Sequence, residues 1–286
     1  MKILTFDVEE WFHILDNPET QSTQSWQNYD TRLRQGVDTI LQLLDETSQS
    51  ATFFCLGWAG EKYPDVIRQI DNAGYEIASH SYAHQLAYEQ SQDEFREDLH
   101  KSLSILQDIT GKPVNTYRAP GFSITRKNLW AFEELINQGI KVDCSLFPAD
   151  RAHGGLPSLQ DAVPTMGDWA GREIELFPIN TKSIFGKKVI YSGGGYFRLA
   201  PRILLQKWFQ DDEYVMTYFH PRDFDPEQPM VPGLSAVRKF KSYVGIRGAQ
   251  AKLRRLLQSN SFMDVNQARK TVDWSSAPRV DLKLST

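Results

Sequence analysis

Short apolar runs alternate with helical patterns over the first half of the chain. Runs typical of buried strands lie at residues 3–6, 51–56, 75–79, 116–118 and 140–143. Between them, apolar residues recur at helical spacing in segments 31–46, 63–73, 95–110 and 129–138. Glycine, which commonly ends a helix, stands just after three of these segments, at Gly74, Gly111 and Gly139. This alternation predicts an α/β fold with a parallel sheet or barrel.

The pattern changes after residue 150. Glycine and proline punctuate a loop-rich stretch at 154–164 and again at 193–195. A short strand is predicted at 173–177, a late apolar strand at 214–219, and a basic amphipathic helix at 248–258. We expect residues 1–222 to form the main domain and residues 223–286 to form an extension packed on it. The tail from about Ser275 is expected to be loosely held.

Composition narrows the class of protein. Hydrophobic residues make up 41% of the 286 residues, which excludes a disordered chain. The chain has 32 Lys and Arg against 36 Asp and Glu, so no basic excess indicates a nucleic-acid partner. Apolar runs are far shorter than the roughly 20 residues of a membrane span. The N-terminus reaches Asp7 too soon for a signal peptide, and Cys55 and Cys144 make no disulfide framework. We expect a cytoplasmic protein.

Polar residues cluster at the carboxyl ends of the predicted strands. In chain order they are Asp7, Glu9, His80, His84, Arg118, Asp143 and His220. Barrels and doubly wound sheets place their functional sites at this end, because the carboxyl ends of parallel strands lie together. Single polar residues after strands are common, but this ordered set predicts an active site.

His80 and His84 are candidate metal ligands. Two histidines four residues apart lie on one face if the segment turns helically, and they can then share one metal. A carboxylate from Asp7 or Glu9 would complete three protein ligands, the pattern of catalytic zinc. The alternative is a pair of surface histidines. His100 is expected to be solvated on its helix, whereas His13 and His153 lie in loops that could be near the site.

Three further side chains suit hydrolysis. His220 ends an apolar strand and can act as a general acid, because imidazole titrates near neutral pH. Arg118 precedes a rigid turn and can hold a catalytic carboxylate ionised, or it can form a surface salt bridge. Asp143 caps a strand end or orients His220.

The order of these motifs resembles that of the polysaccharide deacetylases, the NodB-type carbohydrate esterases, over about residues 3–220. The matching segments are 5–13 (TFDVEEWFH), 80–84 (HSYAH), 118–121 (RAPG), 143–145 (DCS) and 218–220 (YFH). Segments 193–198 and 220–235 resemble a narrower subgroup. Members of that subgroup often accompany bacterial exopolysaccharide clusters and carry an extra C-terminal region.

This resemblance implies a distorted (β/α) barrel, often seven-stranded, formed by residues 1–222. It also implies a divalent metal, usually zinc, and hydrolysis of N-acetyl groups on amino sugars of a surface polysaccharide or exopolysaccharide, or of its precursor. The metal ligands would be His80, His84 and a carboxylate. The roles implied for the other residues are Asp7 as base, Arg118 orienting Asp7, and His220 as general acid assisted by Asp143.

Two positions depart from the common family motifs. Val8 stands where the first motif has a second aspartate that binds metal, and Glu9 could supply that carboxylate instead, because residues i and i+2 of a strand point the same way. Gly121 stands where tyrosine commonly follows Pro120. Its backbone N–H can still serve as an oxyanion donor, and Phe122 could replace the aromatic wall.

Three other functions stay open from the sequence. Two histidines and one carboxylate also form the facial triad of non-haem iron oxygenases. Val8 could mark a decayed site in a glycan-binding protein, and the fold also serves hydrolases of small non-sugar amides. The sugar could be polymeric, lipid-linked or nucleotide-linked. The basic segment 252–255 suggests peripheral membrane contact or a solvated helix face. Trp11 and Trp58 could stack on a sugar ring or lie in the core.

Overall fold

The computed structural model describes residues 1–15, 17–148, 162–184 and 187–283. The loop predicted around residues 154–157 and the neighbouring His153 lie outside the described residues. The strands are β1 (Lys2–Ile3), β2 (Thr5–Val8), β3 (Thr52–Cys55), β4 (Glu76–Ser79), β5 (Thr116–Tyr117), β6 (Val142–Asp143), β7 (Thr165–Trp169), β8 (Arg172–Leu176), β9 (Lys182–Ile184), β10 (Lys187–Val189), β11 (Val215–Met216) and β12 (Arg279–Asp281).

Helices cover the connections between these strands. They are α1 (Leu33–Thr47), α2 (Gly57–Lys62), α3 (Pro64–Asn72), α4 (Gln92–Thr110), α5 (Ala131–Asn137), α6 (Gly194–Leu199), α7 (Arg202–Asp211), α8 (Ala236–Tyr243), α9 (Ile246–Ser259) and α10 (Val265–Thr271). Helix α4 begins at a capping box, in which the Ser91 and Glu94 side chains each accept the other residue's backbone N–H, and it ends at Gly111 with φ 67°. None of the described helices combines the length and the apolar composition needed to span a bilayer.

A central sheet of eight strands has the order β12-β7-β8-β6-β5-β4-β3-β2. Strands β2 to β6 are parallel neighbours in chain order, with helices in the connections, as the alternating pattern predicts. The register pairs Asp7 with Phe54 and Phe54 with Ala78, which aligns the carboxyl ends of β2, β3 and β4. The α/β class and the parallel sheet are therefore confirmed.

The expected closed, seven-stranded barrel is not seen in the described part of the chain. The late strand lies beside the first, because β1 pairs with β11 and an isolated bridge joins Phe6 to Phe219. On the other side of the late strand, side-chain hydrogen bonds replace the backbone ladder that would close a barrel. The Tyr214 hydroxyl donates to the Pro178 carbonyl (2.7 Å), and the Met216 N–H donates to Asn180 Oδ1 (3.1 Å). The antiparallel β7–β8 hairpin and β12 extend the sheet away from this seam.

The C-terminal region returns to the sheet. Helix α9 buries Leu253, Leu256 and Leu257. Strand β12 pairs in parallel with β7, and Leu282 is fully buried. The expectation of a loosely held tail is therefore wrong, because the tail supplies a strand and a core side chain. The proposed boundary at residue 222 stays a prediction.

Candidate active site

Asp7 and Glu9 lie at the carboxyl end of β2 with their side chains on the cavity side. Side chains alternate along a strand, so the intervening Val8 points to the other face. Val8 is fully buried within the main apolar cluster. Both acids line a cavity of about 620 Å³. The aspartate missing from the first motif is therefore replaced by a core residue that faces away from the cavity.

Glu9, His80 and His84 meet at one point. Oε1 of Glu9 lies 3.0 Å from His80 Nε2 and 2.9 Å from His84 Nε2. All three side chains are buried, and their ligand atoms lie within 4.8 Å of one another. The histidines come together, but the segment 80–84 does not turn helically. They meet across a tight turn, with Ser81 at φ 65° and His84 at φ 53°. Such backbone conformations persist in non-glycine residues only where the surrounding contacts hold them.

The hydrogen bonds of His80 indicate which nitrogen is free to bind a metal. Nδ1 lies 2.8 Å from the Arg118 carbonyl oxygen, which can only accept, so Nδ1 carries the proton. In the neutral ring, Nε2 then points a lone pair at the Glu9 carboxylate. Two acceptors 3.0 Å apart repel each other unless a proton or a metal cation lies between them. The donor set of two imidazoles and one carboxylate therefore fits a divalent metal such as zinc.

Asp98 on α4 holds the turn that carries the two histidines. Its carboxylate accepts the backbone N–H of Tyr82 (2.6 Å) and of Ala83 (3.1 Å). Burial raises the pKa of Asp98, although these hydrogen bonds oppose the shift. Asp98 was not identified from the sequence, because an acid in the middle of a helix resembles any solvated residue. The partners that reveal its role are distant in the chain.

Arg118 is fully buried and grips Asp7. Its Nη1 donates to Asp7 Oδ1 (2.6 Å) and to Thr5 Oγ1 (2.7 Å), and its guanidinium lies 4.0 Å from the centre of the Phe54 ring. The other oxygen of Asp7, Oδ2, lies 3.9 Å from His220 Nε2. This buried pair holds Asp7 in one orientation. The alternative of a surface salt bridge for Arg118 is wrong.

His220 pairs with Asp223, a residue that sequence reasoning missed. Nδ1 of His220 donates to Asp223 Oδ2 at 3.2 Å, and Asp223 also accepts from Arg198 Nη1 at 2.6 Å. Burial lowers the pKa of His220, but the charges of Glu9, Asp223 and Asp7 and the Asp223 hydrogen bond outweigh it and raise the pKa to about 9. Burial raises the pKa of Asp223, but Arg198 and His220 bring it down to about 2. The sequence does contain a signal for this pair, because Asp223 lies three residues after His220, in His-Pro-Arg-Asp.

Asp143 was expected to cap a strand end or to orient His220, and it does not contact His220. It accepts the backbone N–H of Ser145 (3.0 Å) and its hydroxyl (2.6 Å), and burial raises the pKa of Asp143 to about 7. Ser145 Oγ in turn accepts the Ala119 N–H at 2.8 Å. Asp143 therefore supports, through Ser145, the turn that begins at Ala119. Its short side chain is bonded to a residue beside its own strand and does not reach His220.

The turn formed by residues 119–122 lines the cavity through Gly121 and Phe122. Gly121 has φ 62° and Phe122 has φ 55°, a left-handed pair that glycine at the first position makes easier. The Phe122 ring packs edge-on against Tyr218 at 5.4 Å and forms a wall of the cavity. The backbone of Gly121 is therefore exposed to whatever the cavity holds.

The two tryptophans that could have stacked on a sugar lie in the core. Trp11 is 4% exposed, donates from Nε1 to the Asp30 carbonyl (2.9 Å) and packs edge-on against Tyr29. Trp58 is equally buried and packs edge-on against Trp26. The expectation that Trp11 contacts substrate is not met, because its indole N–H and both faces are occupied by the protein.

Two further histidines, His100 and His13, have different surroundings. His100 is exposed on α4, as expected. His13 is buried beside the candidate metal ligands, with its ring 5.8 Å from that of His84, and it lines the cavity. Burial and the neighbouring His84 charge hold the pKa of His13 well below its usual range. His13 is thus a neutral wall of the site.

Comparisons with known proteins relate the chain to two family profiles and to several curated proteins. Residues 17–138 match the family profile described as "Polysaccharide deacetylase", and residues 144–270 match "Domain of unknown function (DUF3473)". A peptidoglycan-N-acetylglucosamine deacetylase of Bacillus cereus is 34% identical over 96 residues, which is 33% of this chain and 35% of that protein. A peptidoglycan deacetylase of Helicobacter pylori is 28% identical over 120 residues, covering 40% of this chain and 38% of that protein. The matches thus span about a third of the length of these curated relatives.

A solved structure from Mycobacterium smegmatis, assigned to the polysaccharide deacetylases, superposes with a TM-score of 0.65. The superposition covers 98% of this chain and 92% of that chain at 18% identity. At this identity the likeness shows a common fold.

Proposed function

This chain is a member of the NodB-type polysaccharide deacetylase family, and from that premise we propose that it is a metal-dependent hydrolase that removes N-acetyl groups from amino sugars. The observation that carries the proposal is the convergence of Glu9, His80 and His84 on one point, with Asp7 and His220 beside it in the same cavity. A hydrolase of an amide needs an activated water, a base and an acid, and these residue types supply all three.

We assign the metal to Glu9, His80 and His84, and we assign zinc from the donor types. When bound, such a metal would lower the pKa of a bound water molecule to about 7 and polarise the acyl oxygen. Glu9 is preferred over Asp7 as the carboxylate ligand because the Arg118 guanidinium already occupies Oδ1 of Asp7, whereas Oε1 of Glu9 faces both histidines.

Asp7 takes the proton of the attacking water. Arg118 holds this carboxylate in place and directs its free oxygen towards His220. The Gly121 N–H donates to the oxyanion that develops on the acetamide, an interaction typically worth about 3–4 kcal/mol. His220, held protonated by Asp223, donates its proton to the departing amine. The products are acetate and a free amino sugar.

The substrate proposed is an N-acetylated amino sugar of an exopolysaccharide or surface polysaccharide, or of its polymeric, lipid-linked or nucleotide-linked precursor. Two features support it: the resemblance of segments 193–198 and 220–235 to the exopolysaccharide-associated subgroup, and a cavity that is large enough for a sugar ring. A cytoplasmic location remains part of this proposal.

The test combines metal analysis with acetate release by the purified full chain. Chitooligosaccharides and UDP-N-acetylglucosamine are the first substrates, and Glu9→Gln is the metal-site control. About one zinc per chain with acetate release, both lost in Glu9→Gln, is the expected result. Metal without acetate release would favour the small-amide hydrolase, or an iron oxygenase if oxygen is consumed with iron and 2-oxoglutarate. Glycan binding with neither metal nor release would favour a binding protein.

A further inference from the structure

Large exposed apolar side chains are concentrated on one surface. Among the described residues, six of the seven lie on helices α6, α7 and α8. They are Tyr196, Leu199, Ile203, Leu204, Val237 and Phe240, and we call them the apolar face. Ile203 is 80% exposed, Val237 63% and Phe240 59%. Such a concentration of exposed apolar side chains on three neighbouring helices is unusual on a monomeric soluble protein and indicates an interaction surface.

The three helices form one surface because they are tied together. Nη2 of Arg198, on α6, donates to the backbone carbonyls of Lys241 (2.9 Å) and Ser242 (3.0 Å), at the end of α8. Helix α7 follows α6 after two residues. Helix α8 has no fully buried residue, although its sequence is amphipathic. An amphipathic helix that exposes apolar and basic side chains together can bind an external partner through that exposed face.

The charge on this surface is strongly biased. Helices α6, α7 and α8 contain six Lys and Arg and one acid, Asp211. The remaining chain contains 26 Lys and Arg against 35 Asp and Glu. Arg202, Lys207, Lys239, Lys241 and Arg247 are exposed within or beside the apolar face. The chain is acidic overall, whereas the three helices that expose its apolar side chains are basic.

We propose that the apolar face docks on an anionic lipid bilayer. The apolar side chains would enter the headgroup region, and the surrounding Lys and Arg would contact anionic headgroups. A second copy of the chain fits less well, because pairing identical faces would bring like charges together. The proposed membrane contact therefore lies on the apolar face and not on segment 252–255, where it was one of two interpretations. Nζ of Lys252 donates to the carbonyls of Phe197, Arg198 and Ala200, and Arg254 pairs with Glu46.

The docked orientation has a consequence for substrate access. Tyr196 belongs to the apolar face and also lines the catalytic cavity, as do the neighbouring Lys241 and Ser242. Docking would therefore turn the mouth of the cavity towards the bilayer, where a saccharide attached to or growing at the lipid surface would reach it. This consequence rests on the proposed function, whereas the binding itself does not.

The test is cosedimentation of the full chain with vesicles, either of phosphatidylcholine alone or with one third phosphatidylglycerol. We expect binding to the anionic vesicles only, and loss of binding at high salt. The variants are Arg202→Glu with Lys239→Glu, and Val237→Ser with Phe240→Ser. Arg126→Glu with Lys127→Glu is the matched control, because both residues are exposed and neither belongs to helices α6 to α8. The first double variant should lower the partition coefficient at least about 25-fold, because each basic residue contributes about fivefold.

Equal binding by the face variants and the control, or no binding by the natural chain, would overturn the proposal. So would a dimer that dissociates only in Val237→Ser with Phe240→Ser, because the face would then belong to a second copy. Acetate release from soluble chitooligosaccharides should be unchanged in all these variants and serves as the folding control. A chain that binds vesicles without releasing acetate would contradict the proposed function alone.

Discussion

His220 and Asp223 are joined twice: the His220 backbone N–H donates to Asp223 Oδ2 at 3.0 Å, and its Nδ1 lies 3.2 Å from the same oxygen. The pair sits on a short turn in which Pro221 sets the first helical position, and Arg198 holds Asp223 from the other side. The carboxylate that serves the proposed general acid is thus local in sequence, three residues beyond the histidine.

This pairing predicts the effect of Asp223→Asn. The variant keeps the size of the side chain but removes the charge that favours protonated His220, so kcat should fall about 10–100-fold with metal content unchanged. Steady-state acetate release and elemental analysis provide the measurements. Asp143→Asn is the comparison, and a larger loss there than in Asp223→Asn would return the assisting role to Asp143.

The metal ligands and the base should respond differently to substitution. His80→Ala, His84→Ala and Glu9→Gln should lose metal and activity together, because each removes one of three ligands. Asp7→Asn should retain metal and lose activity by about 100-fold or more, because only the proton acceptor is removed. Elemental analysis of each variant decides the matter, and loss of metal from Asp7→Asn would make Asp7 a ligand.

Val8→Asp tests the departure in the first motif. Val8 is buried among apolar side chains, so an aspartate there should destabilise the fold by about 3 kcal/mol or more without tightening zinc binding. Urea unfolding of the metal-free chain and zinc titration provide the two readouts. Val8→Ala is the control for lost packing alone, at about 2 kcal/mol. Tighter zinc binding in Val8→Asp would mean that the side chain at position 8 reaches the metal.

Asp98→Asn tests the support of the histidine turn. Asp98 contacts no proposed ligand side chain, yet its carboxylate holds two N–H groups between His80 and His84. We expect zinc affinity to fall about 10–100-fold, as is typical when outer partners of a metal site are lost. Asp93→Asn, an exposed position on the same helix, should leave the affinity unchanged. Equal affinities in both variants would show that the turn holds its conformation without Asp98.

The buried carboxyl of Asp143 predicts a pH dependence of stability. Its pKa of about 7 lies above the roughly 3.9 of an unfolded aspartate, so folding takes up a proton between these values. Its contribution to the free energy of unfolding should therefore fall as the pH rises from about 4 to about 7, by on the order of 2–4 kcal/mol. Urea unfolding of the natural chain and of Asp143→Asn at several pH values isolates this contribution, and parallel pH curves would contradict it.

Much of the first half of the fold could be predicted from local patterns. The segments 31–46, 63–73, 95–110 and 129–138 correspond to α1, α3, α4 and α5, within a few residues at each end. Their apolar spacing and their terminal glycines act within single elements. Helices α6 to α8 were missed because six of their apolar residues lie on the surface, and α8 buries no residue fully.

The sequence by itself identified the candidate site residues: Asp7, Glu9, His80, His84, Arg118 and His220 lie at or beyond the carboxyl ends of strands, and parallel strands end together. Only the tertiary structure decided the pairings. It brought Asp223 rather than Asp143 to His220, put Asp98 under the histidine turn, withdrew Trp11 into the core, and left the face formed by α6 to α8 uncovered. The physical reason is that periodicity records the burial of each residue, whereas the partner of a polar group depends on which distant segments pack against it.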